Sequence, residues 1–540
     1  MENLRRSSSL GFLGFVGTYL LCACGGGADA TNPAVSPPAA DGAAPAPGPA
    51  APNPEPGDGE DAGPGVTDDG GASDDGGEGP GNGGGETSDA GDALPPCKRV
   101  VNVSSTSTLN TAISAAAAGD CITLADGDYA FNTVGSKGTA ANPIVIRAKN
   151  LGKATVSTKN LALSGAAYVV VQGLLYTSSE GVSLANCDHC RLTRNTFHIN
   201  ETGPISWIQT SGSKGGHNRI DHNELGPKTH EGNLIGLYGS GQTILPYTQI
   251  DHNYFHDVGP VVGNGWETIR AGLSGLSHSS GYVTIEYNLF QNTQGDPEVI
   301  STKSCDDVVR YNTLRECKGQ ISIRIGSRNS VYGNYILGNG VAGTGGIRIH
   351  GQDHKVYDNY VEAVDDNGVI LEGGESEETP QPGAFHYRIY RAQVVYNTIV
   401  NAAKAGIQIG GAHPLSPVDC TVANNVVQST KGAMIRESLS PVNTTYLANI
   451  VNPTGSATLG LTATAAQMKK EDPLLVKVGE VLKLSAKSPA IGAASGSFPF
   501  VTDDIDGDSR TTPDVGADEY STAPTARHPL TTADVGPAAP

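Results

Sequence analysis

Residues 296–304 read DPEVISTKS, so one strand's length holds two carboxylates, Asp296 and Glu298, and a lysine, Lys303. An acidic pair can hold a hard cation or share a proton, and a lysine beside it is a candidate base. Two arginines follow at similar intervals: Arg324 comes 21 residues after Lys303, and Arg348 a further 24 on. In QISIRIG, Ile321, Ile323 and Ile325 alternate with Ser322 and Arg324, and in GGIRIHG, Ile347 and Ile349 flank Arg348. Period-two alternation therefore turns both arginines away from an apolar interior. It also puts Asp296 and Glu298 on one face with Lys303 out of phase, which predicts a bend between the strand and the lysine. Upstream, NGWETIR adds Asn264, Glu267 and Arg270. Asn264, Asp296 and Glu298 are hard oxygen donors of the kind Ca²⁺ takes. The plain alternative is a set of solvated surface ion pairs, each worth little.

Side chains this far apart in sequence meet only if the chain returns on itself every two dozen residues. The segments RLTRNTF, RIDHNEL, QIDHNYF, TIEYNLF, VVRYNTL, SVYGNYI, KVYDNYV, VVYNTIV and TVANNVV carry such a repeat, each centred on an asparagine: Asn195, Asn223, Asn253, Asn288, Asn312, Asn334, Asn359, Asn397 and Asn425. Their gaps run from 22 to 38 residues. A basic period in the low twenties with insertions points to an all-β fold, a right-handed parallel β-helix in which each coil adds a rung about 4.8 Å from the last. An asparagine at the same bend of every coil tolerates left-handed backbone geometry and can bond to its neighbour on the next rung. Sandwiches and propellers space their strands differently. TLNTAISAAAAGD predicts a short helix capping the N-terminal end, and SPAIGAASGSFPFVTDDIDGDSRTTPDVGADEY an irregular final coil. Within it the DDIDGD run lacks the glutamate that closes an EF-hand and reads as a solvated turn.

The first 96 residues are of another kind. Arg5 and Arg6 precede the apolar run LGFLGFVGTYLL and then LCAC, a lipoprotein-type signal over residues 1–23 with Cys24 as the lipid-bearing residue. Residues 24–96 read as a disordered tether rich in Pro, Gly, Ala and Asp; residues 27–96 contain 14 acidic and no basic residues and account for most of the net charge of −20. The folded part is expected over 97–520, and 521–540 as a disordered tail. The expected location is therefore outside the cytoplasm, anchored to the outer membrane through Cys24 or extracellular, and the expected state a monomer. Export permits disulfides, with Cys97–Cys121 and Cys305–Cys317 the pairs suggested by proximity. The NCDHC spacing of Cys187 and Cys190 lacks a second half-site for zinc. No basic stripe supports nucleic-acid binding.

NGWETIR, DPEVISTKS, SIRIG and GGIRIHG, in this order and spacing, resemble polysaccharide lyase family 6, the family of alginate lyases and chondroitinase B. The resemblance covers most of residues 97–520 and is most specific over 264–350. It implies a Ca²⁺ ion held by Asn264, Asp296 and Glu298, catalytic roles for Lys303 and Arg324, and substrate contacts from Glu267 and Arg348, to which Arg270 adds a further cation for an anionic polysaccharide. Two departures stand out: the family commonly has Glu where Asp296 stands, and often His where Ile325 stands. The implied reaction is β-elimination at a 1,4 bond to a uronic acid, in which Lys303 takes the C5 proton and Arg324 stabilises charge near the leaving O4. Alginate is the expected substrate and dermatan sulfate the alternative. A glycoside hydrolase would need two carboxylates on opposite sides of the bond, one of them protonated, and a non-catalytic glycan-binding β-helix would not need Lys303 and Arg324 one rung apart.

Overall fold

The computed structural model describes residues 94–260, 265–383 and 385–540. The signal, Cys24 and nearly all of the tether lie outside the described residues, as does Asn264. The chain winds into a right-handed parallel β-helix of three long sheets. Two sheets have 14 strands, one running from Arg99–Val103 to Thr445–Leu447 and the other from Gly127–Tyr129 to Met468–Lys470; the third has 11, from Ala162–Ser164 to Ala433–Glu437. We call them the first, second and third sheets. A typical coil contributes Val308–Arg310, Thr313–Arg315 and Gly319–Ile323 in turn, and each strand pairs in parallel with its counterparts on neighbouring coils.

The asparagine repeat occupies the corner between the first and second sheets. The side-chain amide of each donates to Oδ1 of the next at 2.9–3.0 Å from Asn195 through to Asn449, which extends the ladder one rung past the nine repeats. The backbone N–H of each also donates to that Oδ1, and Asn312, for example, donates a second amide bond to the Ile285 carbonyl of the previous coil. The left-handed residue is not the asparagine, as the sequence suggested, but the one before it: Tyr311 (φ 55°), Asp358 (φ 50°) and Ala448 (φ 50°) are examples. That residue turns the chain, and the asparagine satisfies the polar groups the turn buries.

The interior is a continuous apolar column in which Ile300, Ile321, Ile323, Ile347 and Ile349 are all fully buried. The helix Thr106–Ser114 closes its N-terminal end, with Ser105 and Thr108 forming a capping box and Leu109 and Ile113 buried. Cys97 and Cys121 are bridged, with Cα atoms 5.6 Å apart. Cys305 and Cys317 are not: both are free and buried. Cys305 follows the third-sheet strand of one coil and Cys317 precedes that of the next, so they sit at opposite ends of a strand. DDIDGD is not a solvated turn, because Asp504 and Asp506 are buried, Asp506 accepting from Tyr335 Oη at 3.1 Å and pairing with Lys483. Residues 521–540 do not form a disordered tail. They run back along the second sheet, Leu530 N–H donating to Thr313 at 2.8 Å and Gly536 N–H to the His252 carbonyl at 2.8 Å, while Leu530 and Val535 cover Leu289.

Asn312→Ala leaves the Asn288 backbone N–H without an acceptor, although the Asn288 amide keeps the Ile250 and Glu286 carbonyls, and it takes the Asn312 amide away from the Ile285 carbonyl and Asn334 Oδ1; each group left buried and unpaired costs about 1–3 kcal/mol. We expect a loss of roughly 2–5 kcal/mol in chemical denaturation, against little change for the exposed Asn132→Ala. A loss below about 1 kcal/mol would mean that the ladder is not what holds the corner.

Candidate active site

The third sheet positions the candidate residues. Strands Ile269–Ala271, Glu298–Thr302, Gly319–Ile323 and Thr344–Ile349 are consecutive rungs, with Arg270, Ser301, Ser322 and Arg348 in register as one outward column. The column continues through Ile370 and Gln408 to Arg436. By the alternation of Ile300, Ser301 and Thr302, strict period two would point Glu298 inward. A β-bulge between Glu298 and Ile300 reverses this. Glu298 thereby reaches Ser301 Oγ at 2.6 Å, Ser322 Oγ at 3.3 Å and the Arg348 guanidinium, with Arg324 Nε at 3.7 Å. The phase change the sequence located at a bend before Lys303 is this bulge, and Lys303 is in phase with Ser301.

Lys303 and Arg324 are the first residues after their strands, at the same corner of successive coils. Lys303 Nζ donates to Glu267 Oε1 at 3.2 Å, and its backbone N–H to the Ala271 carbonyl at 2.7 Å. Gly272, at φ +95°, packs under it, where a Cβ would come within 3.2 Å of the Lys303 backbone. Glu267 takes a two-pronged contact from Arg270, at 2.9 and 2.5 Å, and a bond from Asn233 at 3.1 Å. Burial alone would push Glu267 up, but Arg270 and Lys303 outweigh it and hold it below the usual carboxylate range. Its side chain is 0% exposed. Glu267 therefore has no free face for substrate, contrary to its expected contact role; it orients Lys303 and Arg270 instead.

Asp296 does not share a strand face with Glu298. It precedes the strand and accepts backbone N–H bonds from Gly265 at 2.8 Å and Glu298 at 3.0 Å. Burial first, then the charges of Glu267 and Glu298, raise it above the usual carboxylate value. It is 5% exposed and has no ion pair among the described residues. A buried carboxylate beside two others and without its own cation fits a bound hard cation, which the Glu298 oxygens, shared among Ser301, Ser322 and Arg348, fit less openly.

Sequence reasoning missed an imidazole cluster beside Arg324. His350 takes the corner position one coil beyond Arg324, and the rings of His386 and His413 lie 4.4 and 6.2 Å from it, with Glu375 3.3 Å from His386. His386 and His413 come from corner loops of later coils, so nothing in their local sequence marks them; His350 is legible as the next rung after Arg324. Ile325, where the resembled family often has histidine, is fully buried. Burial lowers His350 well below the ordinary imidazole value and His386 to about 4, with neighbouring His386 next for His350 and Arg324 next for His386. Burial, then Arg348 among the repulsive neighbours, lowers Arg324 as well. Beyond Arg348 an open cavity of about 420 Å³ runs past Lys404 and Gln408 to Arg436.

The chondroitinase B family model matches residues 103–410, more than half of the chain. The chain belongs to that family. Among solved structures, a mannuronic-acid-specific family 6 polysaccharide lyase from human gut microbiota is 27% identical, with a TM-score of 0.57, covering 66% of this chain and 86% of that one. The family 6 polysaccharide lyase Pedsa3628 from Pseudopedobacter saltans is 26% identical, with a TM-score of 0.57, covering 65% and 92%. The family 6 alginate lyase AlyGC superposes at a TM-score of 0.65 with 23% identity over 79% of this chain, which speaks for the fold, and this chain spans only 59% of its length. No curated protein matches the chain.

Below His350 lies His354, fully enclosed, whose Nδ1 accepts from Asn329 N–H at 3.1 Å and whose Nε2 donates to the His350 carbonyl at 2.8 Å. Protonation would set an N–H against an N–H, and burial lowers this imidazole from 6.5 to about 4. A depressed histidine stabilises the fold fully above its unfolded value, and that stability is lost as pH falls through the window. Stability should therefore drop between pH 6.5 and about 4, by up to roughly 1.4 kcal/mol per pH unit for His354 alone. Urea unfolding at several pH values should show a shallower slope for His354→Asn; an unchanged slope would assign the acid sensitivity elsewhere.

Proposed function

We propose that this protein is a polysaccharide lyase that cleaves 1,4 bonds to uronic acids by β-elimination, with alginate as its substrate. The observation that carries this reading is the placement of Lys303 and Arg324 at one corner of successive coils, beside an outward column that holds Arg270 and Arg348 and leads to an open cavity beyond Arg348. Family membership and two family 6 lyases above 25% identity support it. The C5 proton of a uronate is α to a carboxylate and only weakly acidic, so elimination needs positive charge near that carboxylate and a base at C5. Arg270 and Arg348 supply fixed charge on either side of Ser301 and Ser322. Lys303, aimed by Glu267, takes the proton from C5, and Arg324 lies one rung away to stabilise charge at the departing O4. Because arginine is a poor proton donor, Arg324 acts by charge and hydrogen bonding, the proton reaching O4 through water.

Asn264, Asp296 and Glu298 would hold a calcium ion, and a bound Ca²⁺ neutralises a substrate carboxylate and so makes the adjacent C–H more acidic. Of the three, Asp296 fits this best, being buried and without an ion pair among the described residues. Dermatan sulfate is the second substrate reading, favoured by the family model's description. We also propose export, with Cys24 as lipid anchor and residues 25–96 as tether, and action as a monomer.

The purified protein should be incubated with polymannuronate, polyguluronate and dermatan sulfate, with calcium or chelator, while the ultraviolet absorbance of the new C4=C5 double bond is followed. Reducing ends without unsaturation would overturn the lyase reading in favour of hydrolysis. Lys303→Ala is expected to lower turnover by about 10²–10⁴-fold and Arg324→Ala by about 10²–10³-fold, both with unfolding midpoints near that of the parent. Collapse of the midpoint would make either residue structural. Calcium should raise the melting temperature of the parent, and Asp296→Asn should abolish that rise; an equal rise in both would remove Asp296 from the ion's shell.

A further inference from the structure

A second cluster of ligand-type side chains lies on the second sheet, away from the Lys303 corner. Strands Thr196–Phe197, Glu224–Leu225 and Tyr254–Val258 are three successive rungs in which Phe197, Leu225 and Phe255 are in register. The next residue on each is His198, Gly226 and His256. On the middle rung the position between the two histidines is thus a glycine, where a Cβ would come within 2.2 Å of the His256 carbonyl and 3.0 Å of its ring. With no side chain there, the two imidazoles lean toward each other over the middle rung, and Glu224, from that same rung, points between them. Glu224 Oε1 is 3.5 Å from His198 Nε2 and 3.5 Å from His256 Nε2.

Those distances are long for a charge-assisted hydrogen bond, which settles near 2.7–2.9 Å. They are what two ligands on one ion show: atoms each about 2.0–2.2 Å from a tetrahedral centre stand roughly 3.3–3.5 Å apart. All three ligand atoms lie within 4.8 Å of one another. His256 Nε2 is buried and makes no hydrogen bond among the described residues. Its other nitrogen is bonded to Asp257 Oδ2 at 2.9 Å, and Asp257 is held in turn by the Asn292 amide at 2.7 Å. A carboxylate on the far nitrogen of a histidine fixes the tautomer with Nδ1 protonated and leaves the Nε2 lone pair free to bind an ion; such a carboxylate is the usual outer partner of a metal-bound imidazole. The His256 ring is further fixed by stacking on Tyr254, centroid to centroid 4.5 Å. Glu224 stays below the usual carboxylate range chiefly because the His256 imidazole lies beside it.

We infer that His198, Glu224 and His256 bind a divalent transition-metal ion of the zinc class. Two imidazoles and one carboxylate suit zinc better than calcium, which prefers oxygen alone. His198 and Glu224 are partly open to solvent, at 45% and 32%, so a water can complete the shell. The ion would tie three coils together and lock the second sheet where the C-terminal segment crosses it.

The test uses the full chain, stripped with chelator and titrated with Zn²⁺ by calorimetry and with Co²⁺ by visible absorption. We expect an equivalent of Zn²⁺ that excess Ca²⁺ does not displace, a tetrahedral-type Co²⁺ spectrum, and a rise in melting temperature. His198→Ala, at an exposed position, and Glu224→Gln should each weaken that equivalent at least tenfold, and Asp257→Asn should weaken it about tenfold. His386→Ala should leave it unchanged. Zn²⁺ binding that is absent, or equal in the parent and His198→Ala, would overturn the inference. Binding lost in His386→Ala but kept in His198→Ala would overturn it too, assigning the metal to Glu375, His386 and His413.

Discussion

The asparagine ladder is the constraint on which the rest of the molecule depends. From the Asn195 coil onward, each corner between the first and second sheets is only a left-handed residue and an asparagine long, and successive asparagines are bonded to one another. With that corner locked, every coil enters its strands in the same phase, so the alternation of inward and outward side chains is carried along the helix. The other corners are free to vary in length. The loops carrying His386 and His413 are such insertions, and they gather beside His350 and Arg324 without disturbing the register that sets Lys303 and Arg324 side by side.

On this scaffold the candidate site is an arrangement of buried opposite charges. Glu267 holds Arg270 and Lys303; Glu298 holds Arg348 and stands near Arg324. Each carboxylate is enclosed by two cations, so removing it would strand charges in a low-dielectric setting at a cost of several kcal/mol. The same enclosure fixes where the lysine and arginines point before any substrate arrives, which is how fixed charge becomes useful in catalysis. Asp296 breaks the pattern, buried and without an ion pair among the described residues, and there a bound ion would complete the balance.

The β-helix, the ladder and the Lys303–Arg324 succession were legible because they rest on local alternation and on a spacing repeated many times, whereas Arg348 stands in register with Ser322 and it is His350 that follows Arg324. The orientation of Glu298 was not, since a bulge at Val299 inserts one residue and reverses the phase for every position before it. Glu267 read as a substrate contact because its neighbour Asn233 and its enclosure come from another coil. Cys305 and Cys317 are close in sequence but at opposite ends of a strand, so proximity misled. The polar, proline-containing C-terminal segment was misread as disordered because its few apolar side chains, Leu530 and Val535, are buried only against Leu289 from a distant coil.

The sequence by itself determined the coil period, the apolar interior, the asparagine corner and the chemical identity of the Lys303–Arg324 pair, because these depend on residues two or twenty-odd positions apart. Only the tertiary structure decided which carboxylate restrains which cation, that three histidines gather beside Arg324, and that His198 and His256 share Glu224 across a glycine. Those arrangements depend on loop lengths, a single bulge and a vacant side-chain position, which leave no periodic trace in the chain and take effect only when the coils are stacked.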